Sequence, residues 1–315
     1  MEQEKILEVK ELRKTYRQFT AVNGISFHIN KGEVFGLLGP NGAGKTTTIK
    51  MLCGLLKADG GSILFQGLPM EGNYEQMKAQ IGLCPQEIMI WDLLTCKEQL
   101  VFMGSSYGMT GKEAAKRADE VLQELGLTDK RDKMAKSLSG GMQRRLNIAL
   151  AIIHDPAILI LDEPQAGLDP QSRILVRDFI RRLAKSKTVI LTTHDMDEAD
   201  RLSDRIAIID HGKVLALDTP AKLKEMSGMG DLLQLRVTGI TEDRAEKIMK
   251  ELPAKVTEKR YADDLFYLGA EDILSLIPAS KKVFMQNGYP IEDMMVRKRT
   301  LEDVFIAMTG RGLRE

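Results

Sequence analysis

The chain has 315 residues, enough for about two domains, and 43% of them are apolar, so it can bury a large core. Its 45 basic and 45 acidic residues cancel, so the net charge gives no reason to expect nucleic acid as a partner. The first residues lack the pattern of a secretion signal, and no apolar run approaches the roughly 20 residues of a membrane span.

Apolar runs predict the strands of the first two thirds of the chain. Alternating apolar and polar residues at 5–29 predict half-buried antiparallel strands, and the segment 61–66 is hairpin-like. A continuous apolar run predicts a buried strand at 34–38, and similar runs at 158–161 and 189–192 predict fully buried parallel strands.

Helices are predicted at 44–55 and over most of 97–126. Thr110 and Glu113 fit a capping box ahead of an apolar face. That face consists of Ala114, Ala118, Val121, Leu122 and Leu125. A later helix carries Leu175, Phe179 and Leu183 at helical spacing, and Asp210-His211-Gly212 predicts a hairpin turn. The alternation of strands and helices predicts an α/β sheet flanked by helices.

A second domain is predicted beyond Ser227-Gly228-Met229-Gly230. Its order of strand, helix, two strands, helix and strand is ferredoxin-like, and one more helix follows. These elements are predicted at 232–237, 242–252, 255–260, 264–269, 271–287, 291–298 and 301–308. The last helix is capped by Thr300 and Asp303, and we expect its apolar stripe to be buried in its own domain or against a partner chain. The stripe consists of Leu301, Val304, Phe305 and Met308.

Residues 39–46, GPNGAGKT, join the strand at 34–38 to a helix. A glycine-rich turn between a strand and a helix binds phosphate, because backbone N–H groups converge on it at the positive end of the helix dipole. Lys45 can reach the β- and γ-phosphates, and Thr46 can ligate Mg²⁺. The alternative is a chance match in an αβ turn, but both flanking elements are present.

The strand at 158–161 ends in two adjacent acids, Asp162 and Glu163. Consecutive strand residues point to opposite faces, so we expect different roles for the two carboxylates. Asp162 suits Mg²⁺, and Glu163 suits the attacking water of a P-loop ATPase. On its own, an acidic pair at a strand end is common.

Ser139, Gly140 and Gly141 precede a second helix and can also bind an anion. Taken alone, Ser139 is an ordinary N-cap. Among the four histidines only His194 has a context of interest, since it follows a predicted strand. The three cysteines are predicted to be free thiols of a reducing compartment, with no zinc site.

Across residues 5–220 the chain resembles the ATP-binding subunits of ABC transporters. GPNGAGKT is similar to the Walker A loop, LSGGMQ (138–143) to the ABC signature, and ILILDEP (158–164) to Walker B. Single residues match as well: Gln86 resembles the Q-loop glutamine, Gly167-Leu168-Asp169 the D-loop, His194 the switch histidine and Tyr16 the aromatic that stacks on adenine.

The resemblance implies that two subunits stack head to tail, so that the phosphate loop of one and the signature of the other enclose each ATP. It implies catalytic roles for Lys45, Glu163 and His194. The implied Mg²⁺ ligands are Thr46, Gln86 and Asp162. The implied nucleotide-binding residues are Tyr16, Val22, Asn41, Gly42, Ala43, Gly44, Lys45, Thr46, Thr47, Gln86, Ser139, Gly140, Gly141, Gln143 and Asp169.

The implied fold is an α/β P-loop cassette at 5–226 with a RecA-like core, an antiparallel β subdomain and a helical subdomain at about 87–145. A ferredoxin-like α+β domain at 231–315 follows. The ending LEDVFIAMTGR and the form GGMQRRL resemble the multidrug-exporter subclass. We therefore expect a cytoplasmic ATPase subunit, paired with a copy of itself and held at the inner face of the membrane by a separate membrane-spanning subunit.

Two other functions remain open on the sequence: a soluble ABC ATPase of DNA repair or translation, and a regulatory nucleotide-binding module. Residues 87–137 are too few for the heptad arms of repair members, and translation members usually carry two cassettes. The presence of Glu163 and His194 argues against a regulatory module. One residue departs from the family, since Gln165 stands where a small Thr or Ser is usual.

Overall fold

The computed structural model describes residues 4–226, 230–256, 258–270 and 272–310. The chain divides into two compact units, Met1–Thr219 and Pro220–Glu315. This division falls before the predicted boundary, whose residues 227–229 lie outside the described residues. In the described ranges no helix is both long and apolar enough to cross a bilayer.

The first unit contains ten strands, seven helices and two short 3-10 helices in its described part. The strands are β1 (Lys5–Tyr16), β2 (Phe19–Asn30), β3 (Val34–Leu38), β4 (Gly60–Phe65), β5 (Leu68–Pro69), β6 (Ile81–Cys84), β7 (Ile158–Asp162), β8 (Thr188–Thr193), β9 (Arg205–Asp210) and β10 (Lys213–Asp218). The helices are α1 (Lys45–Leu52), α2 (Tyr74–Lys78), α3 (Cys96–Ser106), α4 (Gly111–Glu124), α5 (Gly140–Ile152), α6 (Pro170–Leu183) and α7 (Met196–Leu202). The 3-10 helices are Thr128–Lys130 and Ala135–Ser137.

Six strands form a central sheet in the order β10-β9-β3-β8-β7-β6. Neighbours from β9 to β6 run parallel, and β10 is antiparallel to β9. Strands β3, β7 and β8 are buried along their whole length, as their continuous apolar runs predict. The predicted hairpin turn joins β9 to β10, and its His211 and Gly212 have positive φ angles of 46° and 72°, as a type I′ turn requires.

A second sheet, in the order β2-β1-β4-β5, is antiparallel throughout. It confirms the strands predicted at 5–29 and the hairpin-like segment at 61–66. This sheet shares a core with one face of the central sheet, where Phe27 stacks on Phe35 at a centroid distance of 5.3 Å. Helices α3 to α6 contribute to the core on the other side of the central sheet.

Capping residues mark the starts of two helices of the first unit. Thr95 and Thr110 both form capping boxes, at the starts of α3 and α4. The predicted apolar face of α4 is buried. The predicted face of α6 is partly wrong, because Leu175 is half exposed. Its buried face has the i, i+3, i+4, i+7 spacing of a helix stripe and consists of Val176, Phe179, Ile180 and Leu183.

The second unit has a four-stranded sheet and four helices in its described part. Its elements are α8 (Pro220–Met226), β11 (Leu232–Arg236), α9 (Glu242–Glu251), β12 (Glu258–Ala262), β13 (Leu265–Gly269), α10 (Ile273–Gln286), β14 (Asp293–Arg297) and α11 (Leu301–Thr309). The sheet is antiparallel in the order β12-β13-β11-β14. Every element predicted beyond the boundary is present, with its ends shifted.

The last helix, α11, packs against α8 of the same unit. Thr300 and Asp303 form the capping box that the sequence predicts. Three members of its apolar stripe are buried, as expected of a helix packed in its own unit, whereas Met308 is 38% exposed. Because α8 and α11 pack together, residues 220–226 group with the second unit, although the sequence assigned them to the first.

Candidate active site

The loop after β3 has a backbone that only glycine adopts easily. Gly42 and Gly44 have φ angles of 81° and 103°, in the left-handed region. A Cβ on Gly44 would also lie 2.4 Å from the carbonyl oxygen of Ala21. Gly44 is the N-cap of α1 and supplies no side-chain cap, so the first N–H groups of α1 are available to an anion. This loop therefore fits a phosphate group.

Lys45 opens α1 and folds back over the loop. Its Nζ donates to the carbonyl oxygens of Gly39 at 2.7 Å and Pro40 at 3.1 Å, and lies 3.8 Å from Glu163 Oε1. Burial lowers the pKa of Lys45, while the negative charges of Glu163 and Asp162 oppose this shift. The ammonium group is thus desolvated and held at the mouth of the loop.

The two acids at the end of β7, Asp162 within it and Glu163 directly after it, face different partners, as the strand geometry predicts. Asp162 accepts hydrogen bonds from the hydroxyls of Thr46, at 3.2 Å, and Thr192. Glu163 faces Lys45 and also His194, whose Nδ1 lies 2.9 Å from Glu163 Oε1. A single carboxylate oxygen of Glu163 therefore lies between the two side chains.

Glu163 has an unusual backbone, with a φ angle of 47°. Left-handed backbone is disfavoured for a residue with a Cβ, and such strain persists only where surrounding contacts hold it. The N–H of Glu163 donates to both the carbonyl oxygen and the hydroxyl of Thr192, at 3.1 Å and 3.0 Å. Thr192 therefore holds both acids, a role that the sequence did not reveal.

The turn that carries His194 is held by a buried acid that sequence reasoning missed. The Thr193 hydroxyl donates to Glu198 Oε2 at 2.6 Å and accepts from the N–H of Asp195 at 2.9 Å. Glu198 Oε1 is buried with no hydrogen-bond partner among the described residues. The available sequence signal was an acid in the first turn of α7, where Asp195 is the N-cap.

A cavity of about 210 Å³ lies over the phosphate loop. It is lined by Tyr16, Phe19, Ala21, Asn41, Gly42, Gly44, Lys45, Thr46, Thr47, Gln86 and Glu163. The sequence missed Phe19 and Ala21, although an exposed aromatic paired with Tyr16 across the β1–β2 turn was the signal for Phe19. Two predicted residues, Val22 and Ala43, are buried and are not among the residues that line this cavity.

The other predicted nucleotide residues form a separate group at the start of α5, and none of them lines the 210 Å³ cavity. Ser139 is the exposed N-cap of α5 and accepts from the N–H of Met142 at 3.4 Å. A Cβ on Gly141 would lie 2.1 Å from Ser172 Oγ, so α5 starts directly against α6, whose N-cap is Asp169. Gln143 donates to the carbonyl oxygen of Ala135 at 3.4 Å.

A larger groove of about 1130 Å³ adjoins the active site and shares three residues with it, Thr46, Gln86 and Asp162. The groove carries exposed apolar side chains, among them Leu55, Met89, Trp91 and Tyr107. Gln86 lines both the groove and the smaller cavity. Gln165, which departs from the family pattern, has a buried amide nitrogen with no hydrogen-bond partner among the described residues.

A glycine loop between a buried strand and a helix, with an acidic pair at the end of a parallel strand in the same sheet, defines a P-loop ATPase. Comparison with known proteins narrows this class. The model of the ABC transporter family matches residues 22–166. The chain belongs to the ABC transporter family, as the motifs predicted.

Two relatives and one solved structure illustrate the match. The linearmycin resistance ATP-binding protein LnrL of Bacillus subtilis is 39% identical over 314 residues, which cover 98% of this chain and 100% of that protein. The Nod factor export ATP-binding protein I of Ralstonia nicotianae is 36% identical over 312 residues, which cover 98% of this chain and 95% of that protein. The dimeric post-hydrolysis structure of the ATP-binding cassette MJ0796, bound to ADP and phosphate, has a TM-score of 0.62 and 26% identity, covering 68% of this chain and 98% of that one.

The matches to the two relatives extend over nearly the whole chain, beyond the cassette alone. The chain is therefore an ATP-binding and ATP-hydrolysing subunit of the exporter type. The expectation of an exporter ATPase is confirmed over the alternatives of a repair or translation ATPase and a regulatory module.

Proposed function

We propose that this chain powers export by closing two copies of its cassette head to tail around ATP. One observation carries this proposal: a single chain has two groups of residues suited to bind phosphate, and the two groups do not share a cavity. One group surrounds the loop at 39–46, and the other lies at the exposed start of α5, around Ser139. A head-to-tail pair brings the second group of one chain to the first group of the other.

Within one chain, the phosphates are held by the loop N–H groups and by Lys45. The residues that would hold Mg²⁺ are Thr46, Asp162 and Gln86. All three offer oxygen ligands, and the hydroxyl of Thr46 lies 3.2 Å from Asp162 Oδ2. When bound, Mg²⁺ neutralises negative charge on the phosphates during transfer.

Glu163 is the general base that orients the attacking water. Its Oε1 is within 2.9 Å of His194 Nδ1 and 3.8 Å of Lys45 Nζ, so both side chains fix the direction of the carboxylate. His194, whose side chain is 52% exposed, stays accessible beside Glu163 and can contact the γ-phosphate. The adenine ring stacks on Tyr16, and Phe19 on the facing strand offers a second aromatic surface.

The second cassette contributes Ser139, Gly140 and Gly141 across the interface, with Asp169 beside them. MJ0796 supports this arrangement, since its cassette forms a dimer with ADP and phosphate bound. Because both halves of a head-to-tail site are present in one sequence, a homodimer is the simplest assembly.

A separate membrane-spanning subunit docks in the 1130 Å³ groove, which keeps the chain at the inner face of the membrane. Exposed apolar residues such as Met89 and Trp91 suit a helix of such a partner. Gln86 borders both the groove and the nucleotide cavity, so it is placed to respond to both.

The second unit is a ferredoxin-like domain that stabilises the dimer or regulates it. Its element order and its sheet order β12-β13-β11-β14 support this assignment. We place the end of the cassette at Thr219 rather than at 226, because α8 packs against α11.

The test is Glu163→Gln. We expect ATP hydrolysis to fall by at least about 100-fold, since the general base is lost. ATP binding should persist, because Lys45 and the loop are intact, and MgATP should then convert the protein into a stable dimer that light scattering detects. Normal hydrolysis would exclude the role of Glu163, and a monomer saturated with ATP would exclude the shared sites.

A further inference from the structure

Arg144 lies in the second turn of α5 and is almost completely buried, with 2% of its surface exposed. Its guanidinium group donates to five backbone carbonyl oxygens. Nε donates to Pro164 at 3.1 Å, Nη1 to Pro85 at 2.6 Å and Gln86 at 3.0 Å, and Nη2 to Asp162 and Glu163, both at 2.8 Å. A buried cation that uses all five donors on carbonyls fixes the relative positions of the segments that carry them.

Those carbonyls belong to two segments of the active site. Pro85 and Gln86 form the loop between the nucleotide cavity and the groove, and residues 162–164 carry both acids. Arg144 itself belongs to the helix that starts at Ser139. One side chain thus joins the residues proposed to contact the partner's nucleotide to the residues proposed to hydrolyse the chain's own nucleotide.

The backbone of Glu163 gives this link a specific effect. Its φ angle of 47° is held on the N–H side by Thr192 and on the carbonyl side by Arg144. If the hydrogen bond from Arg144 to its carbonyl oxygen is lost, Glu163 can relax towards ordinary backbone angles. Its carboxylate would then leave the position between Lys45 and His194.

The adjacent residue provides a comparison within the same helix. Arg145 is also buried, with 9% of its surface exposed. Its Nη1 donates to the carbonyl oxygens of Leu125 at 2.7 Å and Gly126 at 3.3 Å, both of which follow α4. Arg145 therefore holds α5 to α4, whereas Arg144 holds α5 to the active-site loops.

We infer that Arg144 is a positioning residue that couples the start of α5 to the catalytic carboxylate Glu163 and to the loop of Gln86. When closure on a second cassette fixes the start of α5, the guanidinium group fixes these carbonyls with it. This inference rests on the proposed head-to-tail function.

The test uses the full chain with Arg144→Met, which keeps the length of the side chain without burying an unpaired charge, and Arg145→Met as the matched control. We expect kcat to fall about 100-fold in the Arg144 variant, as a misplaced catalytic group produces. The KM for ATP and the binding of a fluorescent ATP analogue should change by less than about threefold, because the phosphate loop is intact. Arg144→Lys should recover part of kcat, since an ammonium group can reach some of the carbonyls.

Equal loss of kcat in Arg144→Met and Arg145→Met would overturn the inference, because both would then act only through packing of α5. A loss confined to KM would overturn it as well. If Arg144→Met does not fold, Arg144→Lys is compared with Arg145→Lys, and equal kcat values in that pair overturn the inference in the same way. The dimer formed by Glu163→Gln with MgATP distinguishes failure of the proposed function from failure of the inference about Arg144. If that dimer is absent, the proposed function fails, and if it is present while Arg144→Met retains its kcat, only the inference fails.

Discussion

At the scale of single residues, the active site depends on buried polar groups held by specific partners. Thr192 illustrates this, because one hydroxyl bonds the N–H of Glu163 and the carboxylate of Asp162. Removal of one partner of such a buried network leaves the other unsatisfied, which costs more than the bond itself contributes. The two acids therefore depend on Thr192 for their position, although Thr192 itself performs no chemistry.

Glu198 makes the stability of the first unit depend on pH. Burial raises the pKa of Glu198 to about 7 from its ordinary value of 4.5, and the hydrogen bond from Thr193 opposes this shift. Asp195 and Glu163 add to the increase, and Arg173 lowers the pKa. The folded chain therefore keeps a proton that the unfolded chain has released, so the contribution of Glu198 to stability falls as the pH rises from 4.5 to about 7.

We expect Glu198→Gln to remove this dependence. Relative to the wild type, the variant should gain up to about 3 kcal/mol in free energy of unfolding between pH 5 and pH 8, because a neutral amide carries no charge to desolvate. Urea unfolding at both pH values measures the difference, with Glu71→Gln as a control at an exposed carboxylate. A constant difference between Glu198→Gln and the wild type would contradict the assigned pKa.

The sequence predicted the residues that belong to contiguous motifs, and the structure brings Lys45, Thr46, Asp162, Glu163 and His194 together. It did not predict Phe19, Thr192, Glu198 or the contacts of Arg144. Thr192 and Arg144 act through partners far away in the chain, and Phe19 holds an exposed position that resembles ordinary surface. Glu198 bonds a nearby residue, but its burial is not visible in the local pattern, where an acid in the first turn of a helix is ordinary. Such roles depend on tertiary placement, to which local residue patterns are blind.

At the scale of elements, buried strands were predicted best, because a continuous apolar run has few alternatives when turn residues bound it. The buried face of a helix was harder to predict from the sequence than a buried strand. Leu175, Phe179 and Leu183 repeat every fourth residue, which drifts around a helix of 3.6 residues per turn, and the buried stripe of α6 leaves Leu175 half exposed. The division at Thr219 lies before the predicted boundary, and the packing of α8 on α11 that accompanies it is a long-range contact that local patterns do not show.

Strand β3 approaches the end of α7 so closely that only glycine fits at Gly36. A Cβ on Gly36 would lie 2.5 Å from Ser203 Oγ and 3.3 Å from Ser203 Cβ. We expect Gly36→Ala to destabilise the first unit by about 1–3 kcal/mol through overpacking. Denaturant unfolding measures this cost.

A second substitution identifies the contact responsible. Ser203 Oγ is buried without a partner among the described residues, so Ser203→Ala alone should change stability little. In the double variant the closest atom is absent, and the cost of Gly36→Ala should fall by about half or more. Additive effects would show that another neighbour sets the cost.

At the scale of the whole molecule, each unit has its own core, and every proposed catalytic residue lies in the first unit. We expect a chain that ends at Thr219 to fold and to bind ATP within about threefold of the full chain, because the loop and its supports are retained. Its dimerisation or its coupling to transport should weaken if the second unit has the proposed role. Circular dichroism and nucleotide titration test the first expectation.

The position of the cut provides the control. A chain that ends at Met226 retains α8 without α11, so Leu223, which is completely buried in the full chain, loses its cover. We expect this longer piece to aggregate more than the one that ends at Thr219. If the shorter piece folds but does not bind ATP, the second unit contributes to the nucleotide site.

The head-to-tail arrangement makes a prediction for mixtures of inactive variants. Lys45→Ala removes a phosphate contact within its own chain, and Ser139→Ala removes one that is proposed to serve the partner. In a mixed dimer, one site combines both defects and the other has neither. Because half of the dimers in an equal mixture are mixed, hydrolysis should rise to about one quarter of the wild-type value if the two sites act independently.

The decisive control pairs Lys45→Ala with Glu163→Gln. Both residues act on the nucleotide of their own chain, and Lys45 Nζ lies 3.8 Å from Glu163 Oε1. Every site of that mixed dimer therefore carries one defect, and mixing should restore no hydrolysis. Recovery with Ser139→Ala and none with Glu163→Gln assigns Ser139 to the partner's nucleotide. Equal recovery in the two mixtures, or recovery in neither, would refute either the shared site or the independence of the two sites. The dimer of Glu163→Gln with MgATP distinguishes these two explanations, because it forms only if the nucleotide is shared.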